Sequence, residues 1–177
     1  MSFYQKMTAF GKRFVSYNTL FKYGFNWSPM YRRSTGRVIF VSKDLSKIRI
    51  KIPLSWKNKN YVGTIFGGSM FSAVDPIPMV QLINLLDDGY VVWDKKAEIQ
   101  FKRPANETLF AEFIFSEEEL NHIKSRIRAE NEIEIIKPTI LTNRDGTKEF
   151  CVVDKTLYIA DKTFYKKKRK LKNKSPK

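Results

Sequence analysis

Two glycines at the head of an apolar stretch, and one carboxylate inside it, are the groups best placed for chemistry in this chain. Gly67 and Gly68 open residues 66 to 86, the least polar run in the sequence, and Asp75 follows Gly67 by eight positions. If the run is a helix, the N–H groups at its start are free to stabilise negative charge developing on a carbonyl oxygen. Glycine there also lets a ligand come close to the backbone. A carboxylate among apolar neighbours suits general-base work better than an exposed one. Together these are the parts needed for attack of water on an acyl carbon.

Other chemistries are closed off by composition. The chain has one His, His122, and one Cys, Cys151. A nucleophile paired with an imidazole would have to use His122, and multi-His metal sites are impossible. His122 itself reads as an exposed helix residue. One thiol forms no intrachain disulfide, Cys151 lies in an apolar run, and no charged and apolar leader follows Met1. A cytoplasmic protein with no metal site is therefore expected.

The 177 residues suit one domain, and a hydrophobic fraction of 42% is enough for a full core. The net charge of +15 is unevenly placed: residues 1 to 60 carry +12, residues 61 to 161 carry −6, and the last 16 residues carry +9. The end, from Lys166 to Lys172, is self-repelling and has little to bury. Residues 164 to 177 are expected to form a disordered Lys-rich tail beside a domain at 1 to 163. Such a tail is either a solvated extension or a weak contact for anionic lipid or nucleic acid. No helix-turn-helix, RNA-recognition or zinc-finger motif supports nucleic-acid binding by the body.

The elements that must position Gly67, Gly68 and Asp75 follow from periodicity. Phe3, Met7, Phe10, Phe14, Tyr17 and Phe21 recur at helical spacing with basic residues between them, an amphipathic helix that Asn26, Ser28 and Pro29 end. Val38 to Val41 and the alternation Lys47, Ile48, Arg49, Ile50, Lys51, Ile52 read as a hairpin with one wet, basic face. Residues 66 to 86 are long enough for a membrane span, but Asp75, Pro76, Pro78, Gln81 and Asn84 argue for a helix enclosed by protein. Residues 97 to 101 and 109 to 115 alternate as strands. Ser116 and Glu119 form a capping box ahead of a short helix. Residues 133 to 142 and 150 to 160 flank the hairpin turn at Asp145-Gly146, with Pro138 arguing against a strand paired centrally along its whole length. The pattern predicts an α+β fold, an antiparallel sheet of six strands covering an apolar helix.

The run Asn60-Tyr61-Val62-Gly63-Thr64-Ile65-Phe66-Gly67-Gly68-Ser69-Met70-Phe71-Ser72-Ala73-Val74-Asp75 resembles the signature of hotdog-fold acyl-CoA thioesterases of the phenylacetate-degradation type. With Trp56, Tyr90 to Lys95 and Leu157 to Ile159, the chain is similar to a functionally uncharacterised branch of that superfamily over residues 10 to 163. The resemblance implies a six-stranded antiparallel sheet wrapped around a long central helix, a homodimer or dimer of dimers, and an acyl-CoA site at the dimer interface. It implies that Gly67 offers its N–H to the thioester oxygen, that Asp75 orients or deprotonates water, and that Asn60 assists. No cofactor is implied beyond coenzyme A as part of the substrate. The signature His is Phe66 here, so any positioning by an imidazole is lost.

Each residue also has a structural reading. Asp75 before Pro76 is the pattern of a helix N-cap followed by Pro at the first helical position, and Pro76 disfavours α geometry at Asp75. Gly67 and Gly68 can serve close packing of helix and sheet, and Asn60 can serve a turn. Phe66, Met70, Phe71 and Trp93 read first as core residues and, near a pocket mouth, also as candidates with Gly68 for the acyl pocket. Lys57, Lys59 and Arg103 are candidates for coenzyme A phosphates or simply solvated charges. Two functions remain open: hydrolysis of an acyl-CoA or acyl-carrier thioester by carboxylate-assisted water attack, or a module that binds an acyl chain or lipid without cleaving it.

Overall fold

The computed structural model describes residues 16–174, with side chains through 172. Of the predicted N-terminal helix, Phe3, Met7, Phe10 and Phe14 lie outside the described residues. The remainder is α1 (Tyr17–Trp27), and the break falls at Ser28 and Pro29, where α2 (Pro29–Arg33) starts. Then come β1 (Arg37–Val41), β2 (Lys47–Ile52), α3 (Gly67–Val74), α4 (Pro76–Leu85), β3 (Tyr90–Phe101), β4 (Leu109–Ile114), α5 (Glu117–Glu130), β5 (Glu132–Thr142), β6 (Glu149–Asp161) and α6 (Lys162–Lys174). The strands form one antiparallel sheet in the order β1-β2-β4-β5-β6-β3.

Strand periodicity sends Ile48, Ile50 and Ile52 inward, where each is fully buried, while Lys47 and Arg49 meet Glu112 on the wet face. The inner face of the sheet wraps α3 and α4. Met70, Ala73, Val74 and Ile77 pack on β1, β2, β4 and β6, and Leu82 and Leu86 join Phe115, Ile123, Ile127, Ile133 and Leu157 under α5. Gln81, a polar residue inside this core, donates from Nε2 to the carbonyls of Leu45 at 2.8 Å and Ser46 at 3.0 Å. Ser116 Oγ accepts from the Glu119 N–H at 3.0 Å, the cap that starts α5. Among the described residues no helix is long and apolar enough to cross a membrane.

Pro138 sits in a strand with neighbours on both sides, yet β4 pairs with β5 only at Phe110 and Thr142. The proline therefore falls where β6 alone supplies the ladder. The two sheet edges are treated differently. At β1, the Asn26 side chain donates to the Val38 carbonyl and accepts from its N–H, both at 2.9 Å, so α1 engages the edge. At β3, β6 alone among the described residues pairs with the strand, and residues 93 to 96 are exposed.

Of the tail expected to be disordered, residues 164 to 174 are helical in the structure. Residues 162 to 174 form α6, started where Asp161 Oδ1 accepts from the N–H groups of Thr163 at 2.9 Å and Phe164 at 2.8 Å. Lys168 reaches Glu132 at 2.6 Å, and that contact holds the Glu132 carboxyl below its usual range. Local capping and a partner on β5 outweigh the repulsion within the Lys run.

Candidate active site

Asp75 lies between α3 and α4 with φ −46° and ψ −51°. It is helical, against the expectation from Pro76, and its side chain makes no capping hydrogen bond. The N-cap reading is thereby corrected. α3 and α4 are one helix carried through Asp75, whose N–H donates to the Phe71 carbonyl at 2.8 Å. Pro76 and Pro78 lack N–H groups, so the carbonyls of Ser72 and Val74 lose their i+4 donors at this point.

What holds the carboxylate is Lys155. Its Nζ binds Asp75 Oδ1, stands 3.0 Å from Asp94 Oδ1 and lies 5.8 Å from the centre of the Phe71 ring. The lysine is 2% exposed, while Asp75 and Asp94 are 39% and 29% exposed along their side chains. Asp75 is thus not a lone carboxylate among apolar groups but one arm of a buried cation's pair of counter-ions. Desolvation raises the Asp94 pKa above the ordinary carboxylate value, offset in part by Lys155. Lys155 was detectable in the sequence. Cys151, Val153, Lys155, Leu157 and Ile159 share one phase of β6, and only the lysine is charged. Asp94 follows Val92 in the inward phase of β3, just before the bulge between Asp94 and Lys96.

Asp75 opens onto a cavity of about 410 Å³ lined by Met30, Arg33, Ser34, Phe66, Gly68, Ser69, Phe71, Ser72 and Pro76 beside it. Phe66, at the N-cap position of α3, is 58% exposed at this cavity. Gly67 and Gly68 head the helix, where no intrahelical acceptor serves their N–H groups. Both are also packing glycines. A Cβ on Gly67 would lie 2.8 Å from Phe101 Cζ, and one on Gly68 would lie 2.3 Å from Phe66 Cε1.

The other expected residues divide. Phe71 lines the cavity, whereas Met70 is buried in the core and Trp93 stands exposed on β3 opposite Tyr158. Asn60 is occupied by its own turn: Nδ2 donates to Thr64 Oγ1 at 2.8 Å, and Oδ1 accepts from the N–H groups of Thr64 at 3.0 Å and Val62 at 3.1 Å. That is the turn role, with its side-chain hydrogen bonds directed into residues 60 to 64. Lys57 lines a second cavity beside the first. Lys59 bridges Ile65 in the loop, and Arg103 follows β3, so both lie outside the two cavities.

Residues 18–159 match the profile of the family described as "Domain of unknown function (DUF4442)". No curated protein matches the chain. Among solved structures, a protein of unknown function from Pseudomonas aeruginosa described as a probable thioesterase superposes with a TM-score of 0.71 at 17% identity, covering 81% of this chain and 95% of that one. A protein of unknown function from Chlorobaculum tepidum gives 0.60 at 14% identity, over 89% of this chain and 94% of that one. A thioesterase from Haemophilus influenzae gives 0.55 at 13% identity, over 78% and 87%. At these identities the likeness establishes the fold, the hotdog arrangement of a six-stranded sheet around a central helix.

Proposed function

We propose that this chain, which belongs to the DUF4442 family and has the hotdog fold, hydrolyses an acyl-CoA or acyl-carrier thioester at a site shared by two copies. The observation that carries the reading is Asp75. Its carboxylate opens onto a partly apolar cavity, is not spent on capping, and has Oδ1 fixed by Lys155 while Oδ2 has no protein partner among the described residues.

Gly67 and Asp75 are eight residues apart on one helix, or about 12 Å along its axis at the α-helical rise. That is too far for both to act on one carbonyl. A second copy related by a two-fold axis, its central helix antiparallel, brings Asp75 opposite the partner's Gly67. The edge of β3 that no described strand pairs with offers a place for such a copy to join the sheet, on the strand that carries Asp94. Water held by Asp75 Oδ2 gives up a proton to it and attacks the carbonyl carbon. The N–H groups of the partner's Gly67 and the partner's Gly68 take the negative charge on the oxygen. Collapse breaks the carbon–sulfur bond, and the proton passes from Asp75 to the departing thiolate, giving acid and thiol.

Purified protein should release free thiol from acyl-CoAs of some chain length, and Asp75→Asn should lower kcat by at least about 100-fold, the scale of a lost general base. Wild-type dimer inactive on every chain length overturns the reading. One observation favours a binding module instead: Phe66, the replacement of the signature His, stands at the cavity. Native mass spectrometry of protein from cells would then find an intact acyl ligand, retained equally by Asp75→Ala.

A further inference from the structure

We infer that the crevice between α2, the start of β1 and the loop at residues 53 to 57 is a phosphate-binding subsite for the carrier of the thioester, coenzyme A or a phosphopantetheinylated protein. This assignment rests on the thioester reading for its ligand and not for its chemistry. The crevice is a cavity of about 370 Å³ lined by Pro29, Arg32, Arg33, Thr35, Arg37, Pro53, Ser55 and Lys57. It brings four cations together and no carboxylate. Arg37 donates to the Gly36 carbonyl at 2.7 Å, and among the described residues none of the four forms a salt bridge. The only acid in the first 60 residues, Asp44, is occupied by Ser42 and Ser46. Four cations around one crevice repel one another, and three of them are guanidiniums, whose planar forks match phosphate oxygens in pairs. An anion in the crevice relieves that repulsion.

The walls are built rather than loose. Asn58, 3% exposed, donates from Nδ2 to Thr35 Oγ1 at 2.8 Å and to the Pro53 carbonyl at 2.9 Å, and its Oδ1 accepts from the Ser55 N–H at 2.9 Å. One buried amide thus ties the loop to the turn that carries the arginines. Thr35 has φ +64°, a left-handed backbone rarely taken by a β-branched residue. Such strain persists only where the surroundings enforce it, and it collects at ligand sites. Arg33 lines both this crevice and the Asp75 cavity, so the two are neighbours sharing one wall. A ligand with a phosphate in the first can extend its thioester arm into the second.

Titration calorimetry at low salt tests the assignment with two probes that carry no acyl group: adenosine 3′,5′-bisphosphate and 4′-phosphopantetheine. At least one binds wild type and Asp75→Asn alike. Arg32→Ser and Lys57→Ser, both at exposed positions, each weaken that binding about tenfold, the scale of one charge-assisted contact, while Arg144→Ser on the distant hairpin does not. Binding of the bisphosphate identifies coenzyme A as the carrier, and binding of phosphopantetheine alone identifies a carrier protein's prosthetic arm. Failure of both probes to bind wild type, or binding unmoved by Arg32→Ser and Lys57→Ser, overturns the subsite even if thioesters are hydrolysed. Probe binding without any hydrolysis keeps the subsite and removes the hydrolase.

Discussion

At the scale of single residues, Lys155 lies inside the protein paired with both Asp75 and Asp94. Removing one partner from a buried ion pair costs about 3–5 kcal/mol, because a charge is left unpaired in a poor solvent. The double variant Asp75→Asn/Asp94→Asn is expected to lose stability on that scale in urea unfolding. Adding Lys155→Met, an unbranched apolar side chain of similar length, should recover most of it. A double variant as stable as wild type would show that Lys155 escapes to water. A second consequence concerns alkali. Burial pushes the Cys151 thiol up to about 11 from 9.0 and raises the Tyr31 phenol above its ordinary 10.0. Burial and then Glu132 raise Tyr158 as well. These groups keep their protons in the folded state after the unfolded chain has lost them. Their contribution is complete below the unfolded values and is lost as pH rises through the folded ones. Urea midpoints should therefore fall between pH 9 and pH 11, and Cys151→Ala should flatten that fall.

At the scale of elements, glycine positions separate packing from propensity. A Cβ on Gly36, between α2 and β1, would sit 2.8 Å from Ala73 Cβ and 3.0 Å from Tyr31 Oη. Ala73 Cβ is fixed to the central helix backbone and cannot step aside, so Gly36→Ala should cost about 1–3 kcal/mol in unfolding experiments. Gly24, inside α1, has nothing within 4 Å of such a Cβ, and Gly24→Ala should gain about 0.5–1 kcal/mol. Elements whose signals are local were legible in the sequence: the alternation at Ile48, Ile50 and Ile52, the capping box at Ser116, and the apolar helix after Gly67. The site was half legible. Asp75 and the two glycines stood out, but Lys155 is 80 residues from Asp75, and its role depends on sheet registry that no local pattern contains. α6 has little local apolar signal for a related reason. Net charge speaks for disorder, whereas the Asp161 cap reaches only Thr163 and Phe164 and Glu132 lies on another strand.

At the scale of the whole molecule, the proposed thioester site draws on Gly67 and Asp75, which one chain holds about 12 Å apart along its central helix. Hydrolysis by this pair of groups therefore requires two copies, and subunit mixing tests that requirement directly. Asp75→Asn removes the base. Gly67→Val blocks the helix start, with a side chain that meets the far end of Phe101, a ring 56% exposed and able to swing aside. Neither protein alone should turn over an acyl-CoA that wild type hydrolyses. After subunit exchange, mixed dimers contain one site with both an intact Asp75 and the partner's intact Gly67, and turnover should return in proportion to the share of mixed dimers. A mixture that forms mixed dimers and stays as inactive as its parents would contradict a site built across the two-fold axis.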